Sequence, residues 1–116
     1  SLSFNANFTS IRLSVTYETS FGQELWMLGS TPFMGSWNPD SDAGKGGLRM
    51  TWSAGHVWFA DVPFTQIKAQ GNDLSKFEFQ FVVKVNEDGG KFFRIIRWEG
   101  GNLNHKYDDV HVKEML

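Results

Sequence analysis

Phe77-Glu78-Phe79-Gln80-Phe81-Val82-Val83-Lys84-Val85, followed by Asn86-Glu87-Asp88-Gly89-Gly90, is the stretch that decides the fold. Phe77, Phe79, Phe81, Val83 and Val85 fall on one face of an extended chain. Glu78, Gln80, Val82 and Lys84 fall on the other, the period of two expected of a strand with one face in the core. The pairs Asp88-Gly89 and Gly89-Gly90 tolerate the positive φ of a tight turn, so residues 92–98 should return as the antiparallel partner. Trp98 ends that return, next to Glu99, Gly100, Gly101 and Asn102.

Upstream, Ile11, Leu13, Val15 and Tyr17 alternate with Arg12, Ser14, Thr16 and Glu18, a first half-buried strand. Ser20, Phe21 and Gly22 make a turn into residues 24–30. The apolar side chains of that second strand fill both faces, as in a central strand, and the two are expected to form a hairpin. Residues 48–52 make a short strand, and Ser53-Ala54-Gly55 turns into residues 57–62, rich in β formers and stopped by Pro63. Residues 66–75 read as a polar insert, and Tyr107, Val110 and Val112 as a last strand. No segment carries a helical period of adequate length. About seven short strands with turn-rich links argue for an all-β fold, a Greek-key antiparallel β-sandwich over a closed barrel, although periodicity alone does not separate the two.

Between the second and third strands, Leu28-Gly29-Ser30-Thr31-Pro32-Phe33-Met34-Gly35-Ser36-Trp37-Asn38-Pro39 is cut by glycines and prolines into tight turns. Trp37 therefore rides on a loop with little apolar bulk of its own. It either folds back as a lid on the core or is displayed. Trp98 tips the balance: two indoles at strand ends, each followed closely by an Asn, offer flat apolar faces with hydrogen-bonding edges, which suits a sugar ring. Residues 39–47 hold three glycines and no periodicity, the mark of a mobile excursion.

With 116 residues, 41% of them apolar, the chain has the length and composition of one compact domain, and its Ser1 start suggests a piece cut from a longer protein. A net charge of -2 and the lack of any Lys/Arg run argue against nucleic acid or an anionic membrane as partner. The absence of cysteine excludes disulfides and thiolate metal sites and favours an intracellular setting. His56, His105 and His111 lack metal-ligand spacing, so neither a metal nor a cofactor is expected. Glu99, Asp108 and Asp109 could be nominated as a glycosidase pair, but so short a chain offers no cleft for one, and no catalytic residue is assigned. Gly44-Lys45-Gly46-Gly47 lacks the strand-to-helix context of a phosphate loop, and Lys45 is read as solubilising.

The order of Phe21-Gly22, Leu28-Gly29-Ser30, Met34-Gly35-Ser36-Trp37-Asn38, Trp58, Phe77-Glu78-Phe79-Gln80-Phe81 and Trp98-Glu99 resembles the starch-binding domains of carbohydrate-binding module family twenty, over about residues 11–112. That resemblance implies an immunoglobulin-like β-sandwich that binds α-1,4-linked glucans without catalysis of its own, as the targeting module of a fused catalytic domain. It places Trp37 and Trp98 as stacking platforms of a first sugar site, with Glu99 and Asn102 beside them and Gln80 where the family often has Lys. A second site would rest on Phe21 and Trp52, and Trp58 is structural. The rival reading is a β-sandwich that has lost sugar binding and recruits a protein.

Overall fold

The computed structural model describes residues 2–6, 9–68, 78–99 and 105–106. Two antiparallel sheets face each other, as the all-β, immunoglobulin-like sandwich requires. The first contains β1 (Leu2–Ala6), β2 (Ser10–Thr16), β6 (Val57–Pro63) and β5 (Thr51–Ser53), in that order. The second runs β4 (Leu48–Arg49), β3 (Gln23–Gly29), β7 (Glu78–Glu87) and β8 (Phe92–Trp98), and β9 (His105–Lys106) pairs with the start of β7 beyond the end of β8.

The inward faces close one core. Ile11 and Leu13 from β2, Trp58, Ala60 and Val62 from β6, Leu25 and Met27 from β3, and Phe79, Phe81 and Val83 from β7 pack together, all 6% exposed or less. Trp58 is structural as expected, and its indole N–H donates to the Tyr17 carbonyl at 3.2 Å. Strand β3 is central, paired to β4 and β7. Its outward side chains, Trp26 and Leu28, form a second buried cluster with Val82 and Phe93. The second sheet is therefore covered on both faces, which explains why β3 shows no polar stripe.

Several expectations need correction. The first two predicted strands, β2 and β3, are not a hairpin: they lie in different sheets, and residues 17–22 cross between them. A turn signal marks a reversal but not which sheet receives the chain. The predicted strand over residues 48–52 is two strands in opposite sheets, β4 and β5. They are joined at buried Met50, whose N–H bonds the Leu25 carbonyl at 3.1 Å. Strand β1 was not foreseen, although Leu2, Phe4 and Ala6 alternate with Ser3 and Asn5 in the period of a strand. A short helix over Phe64–Lys68 also follows Pro63, where only a polar insert was expected. The remainder of that insert, Phe77, and the proposed strand through Tyr107, Val110 and Val112 lie outside the described residues.

Residues 39–47 depart most from expectation. They form a tightly packed loop on the outer face of the second sheet, in which a Cβ on Gly44 would come 1.9 Å from the Phe93 carbonyl oxygen and one on Gly46 1.8 Å from that of Asn38. Backbone approaches this close admit only glycine.

Candidate functional site

Strand β8 controls where Trp98 points. Phe93 and Ile95 lie on the outer face of the second sheet, so simple alternation would place Arg97 outward and Trp98 inward. The register breaks there: Lys84 pairs with Ile95 and Val83 with Arg97, leaving Ile96 as an extra residue. This bulge puts Trp98 opposite Val82, a member of the outer cluster, and leaves its indole 43% exposed. Gln80, paired with Leu28, projects from the same face.

Trp37 reaches that face from the loop side. The turn Pro32–Trp37 ends in three consecutive residues of positive φ, Gly35 (83°), Ser36 (49°) and Trp37 (62°), and the half-buried indole packs against the cluster of Trp26, Leu28, Val82 and Phe93. Two non-glycine residues held in the left-handed region cost about 1–3 kcal/mol each, so the surrounding contacts must fix them. Trp37 is thus neither a core lid nor free: one face is supported by the sheet. Trp37, Trp98 and Gln80 share this outer face, the platform of the second sheet.

Glu99 does not join them. One residue past Trp98 it faces the opposite way, where its carboxylate accepts from the Phe81 N–H at 3.1 Å and meets His105 Nε2 at 2.5 Å. Its own N–H donates to the Phe81 carbonyl at 3.0 Å. Glu99 therefore bridges the gap between β8 and β9 along β7, and borders a cavity of about 230 Å³ shared with Tyr17, Arg97 and His105. Asn102 lies outside the described residues.

Phe21 and Trp52 meet at a larger concavity of about 920 Å³ at one end of the sandwich. Phe21 stands at the tip of the 17–22 crossover, fully exposed at 108%, and Trp52 on β5 is 51% exposed. Trp52 meets the His56 ring edge to face, with centroids 6.2 Å apart. The polar groups of this groove are prearranged: Glu24 Oε2 accepts from Arg49 Nη2 at 2.7 Å and from Asn86 Nδ2 at 3.2 Å. Glu24, Arg49 and Asn86 are not singled out by the sequence, and His56 is weighed there only as a metal ligand. They come from four segments, and only the strand pairing brings them together.

The family described as starch binding domain matches residues 8–113. The chain belongs to that family. Both aromatic pairs read from the sequence therefore sit on a starch binding domain, one pair on the outer face of the second sheet and the other in the end groove. No curated protein matches the chain. Starch binding domains are noncatalytic binding modules, and glucan binding is what membership implies for this one.

Proposed function

We propose that this domain binds α-1,4-linked glucans at two places and carries an attached glucan-metabolising enzyme to the polysaccharide. Trp37 and Trp98 stack against sugar rings at the platform, with Gln80, and with Asn102 as carried by the family resemblance, taking up hydroxyls. Phe21 and Trp52 hold a second stretch of chain in the groove. Glu99 serves the first site by fixing the end of β8 rather than by touching sugar.

The observation that carries this reading is the exposure of three large aromatic side chains, Phe21, Trp52 and Trp98. Phe21 and Trp52 line one concavity with Glu24, Arg49 and Asn86, and Trp98 shares its sheet face with Gln80, the pairing of flat apolar face and polar rim that a pyranose needs. Covering about 70 Å² of each indole at roughly 25 cal/mol per Å² supplies about 1.8 kcal/mol per platform residue. Two such contacts and two or three net hydrogen bonds give affinities from about millimolar to tens of micromolar. Weak single sites gain through linkage to each other and to granule-bound enzyme.

The test is sedimentation with granular starch. Wild-type protein should pellet and Trp98→Ala should remain largely in solution while keeping its thermal transition. Wild-type protein that stays in solution would instead favour a protein-recruiting sandwich, and released reducing sugar would make the domain a hydrolase.

A further inference from the structure

Lys84 is 0% exposed, the only charged side chain among the described residues that is buried. Alternation along β7 sets it on the outer face with Gln80 and Val82, opposite the core phenylalanines. The 39–47 loop covers it instead. Its Nζ lies 3.9 Å from the Trp26 ring centroid and donates to the carbonyls of Pro39 (3.3 Å), Gly46 (2.7 Å) and Gly44. An ammonium has three donors, and all three are taken by this one loop. No carboxylate hydrogen-bonds it: the Glu24 oxygens are held by Trp26, Arg49 and Asn86, and Asp40 acts only through space.

Burial pushes Lys84 down to about 8, against the opposing pull of Asp40 and Glu24, so the charge is kept in place at a cost to the fold. An apolar side chain of the same length would avoid that cost. What the ammonium supplies is geometry. Gly46 presses on the Asn38 carbonyl and Gly35 on the Gly47 amide, so the limb of the loop that Lys84 holds is in contact with residues on either side of Trp37.

We propose that Lys84 is the positioning residue of the sugar platform: by gathering three loop carbonyls on its ammonium it folds residues 39–46 onto the sheet and sets Trp37 for stacking. The sugar part of this statement rests on the glucan reading above. The loop part does not.

The test uses Lys84→Met and Lys84→Cys. The chain has no other cysteine, so aminoethylation of Lys84→Cys in denaturant, followed by refolding, restores an ammonium at nearly the original length. The first readout is the Trp37 indole N–H resonance and the backbone amides of residues 39–47, without ligand. The second is titration with β-cyclodextrin in a Trp52→Ala background, so that only the platform is read. Lys84→Met should unfold cooperatively, move the Trp37 and loop resonances toward unstructured positions, and weaken the platform about twentyfold, the worth of one indole. Aminoethylated Lys84→Cys should restore both readouts. Unmoved Trp37 and loop signals in Lys84→Met would overturn the proposal, as would moved signals that the restored ammonium leaves unchanged. If wild-type protein ignores β-cyclodextrin, the glucan reading falls, and the ligand-free resonances still decide the role of Lys84.

Discussion

The platform and the groove present aromatic faces by opposite means. At the platform, Trp37 is backed by a buried cluster, held in three consecutive left-handed residues and tied through its loop to a buried ammonium, while a bulge aims Trp98. At the groove, Phe21 projects fully exposed beside Gly22, around which no atom lies within 4 Å of a would-be Cβ, and Trp52 leans on His56. Ordering a free side chain on binding costs about 0.5–1.5 kcal/mol. On the proposed reading the platform has met that cost during folding, whereas the groove would meet it with each ligand. The same aromatic area should therefore yield more affinity at the platform, and the groove should accept more varied chain shapes.

Substitutions that touch one region and spare the other separate the two. The largest effect belongs to Gly44→Ala, where a Cβ would meet the Phe93 carbonyl and φ is 81°. Strain and overpacking together should cost about 4 kcal/mol in chemical denaturation and abolish platform binding, with the groove affected only through overall stability. Next comes pH. Because the folded pKa of Lys84 lies below its ordinary 10.5, the unfolded chain holds that proton more tightly. The stabilising contribution is thus complete above about 10.5 and lost as pH falls through about 8. Its span is about 3 kcal/mol, and comparing denaturation of wild-type protein and Lys84→Met across that window should show the rise only in the former.

Trp98→Ala should then cost about 1.8 kcal/mol of platform affinity, about twentyfold, measured calorimetrically with Trp52→Ala as background, and change the melting temperature little because the ring is already half exposed. Phe21→Ala should lower groove affinity by about fivefold and leave stability untouched. A loss at Phe21 equal to that at Trp98 would remove the distinction between a prearranged and an adaptable site. As a control remote from both, Asp61→Asn breaks the surface pair with Arg12 on the first sheet, where Arg12 Nε donates to Asp61 Oδ1 at 2.8 Å. It should cost under about 1 kcal/mol and leave both sites intact.

Much of this was legible because alternation is a local signal. Phe79, Phe81 and Val83 announce an inward face, the apolar run through Trp26, Met27 and Leu28 announces a strand covered on both sides, and Asp88-Gly89-Gly90 announces the β7–β8 turn. What escaped depends on partners distant in sequence. Nothing in Phe21-Gly22 tells whether the chain turns back within a sheet or crosses to the other one. Lys84 sits at a position that alternation assigns to the outer face, and only the loop folded above it makes that face dry. The sequence sets Trp98 at a strand end, but its direction comes from a register shift against β7, which also turns Glu99 away from it. The groove aromatics were found by resemblance, while Glu24, Arg49 and Asn86 beside them became visible only once β3, β4 and β7 were paired.

The most direct measurement of the central claim is a two-dimensional NMR titration of the five tryptophan indole N–H signals with maltoheptaose, repeated with cellohexaose. The Trp37, Trp98 and Trp52 resonances should shift and saturate with the α-linked chain, the first two together and Trp52 at a higher ligand concentration, while buried Trp26 and Trp58 hold still and cellohexaose moves none of them. Indoles that ignore maltoheptaose, or respond equally to cellohexaose, would contradict that claim.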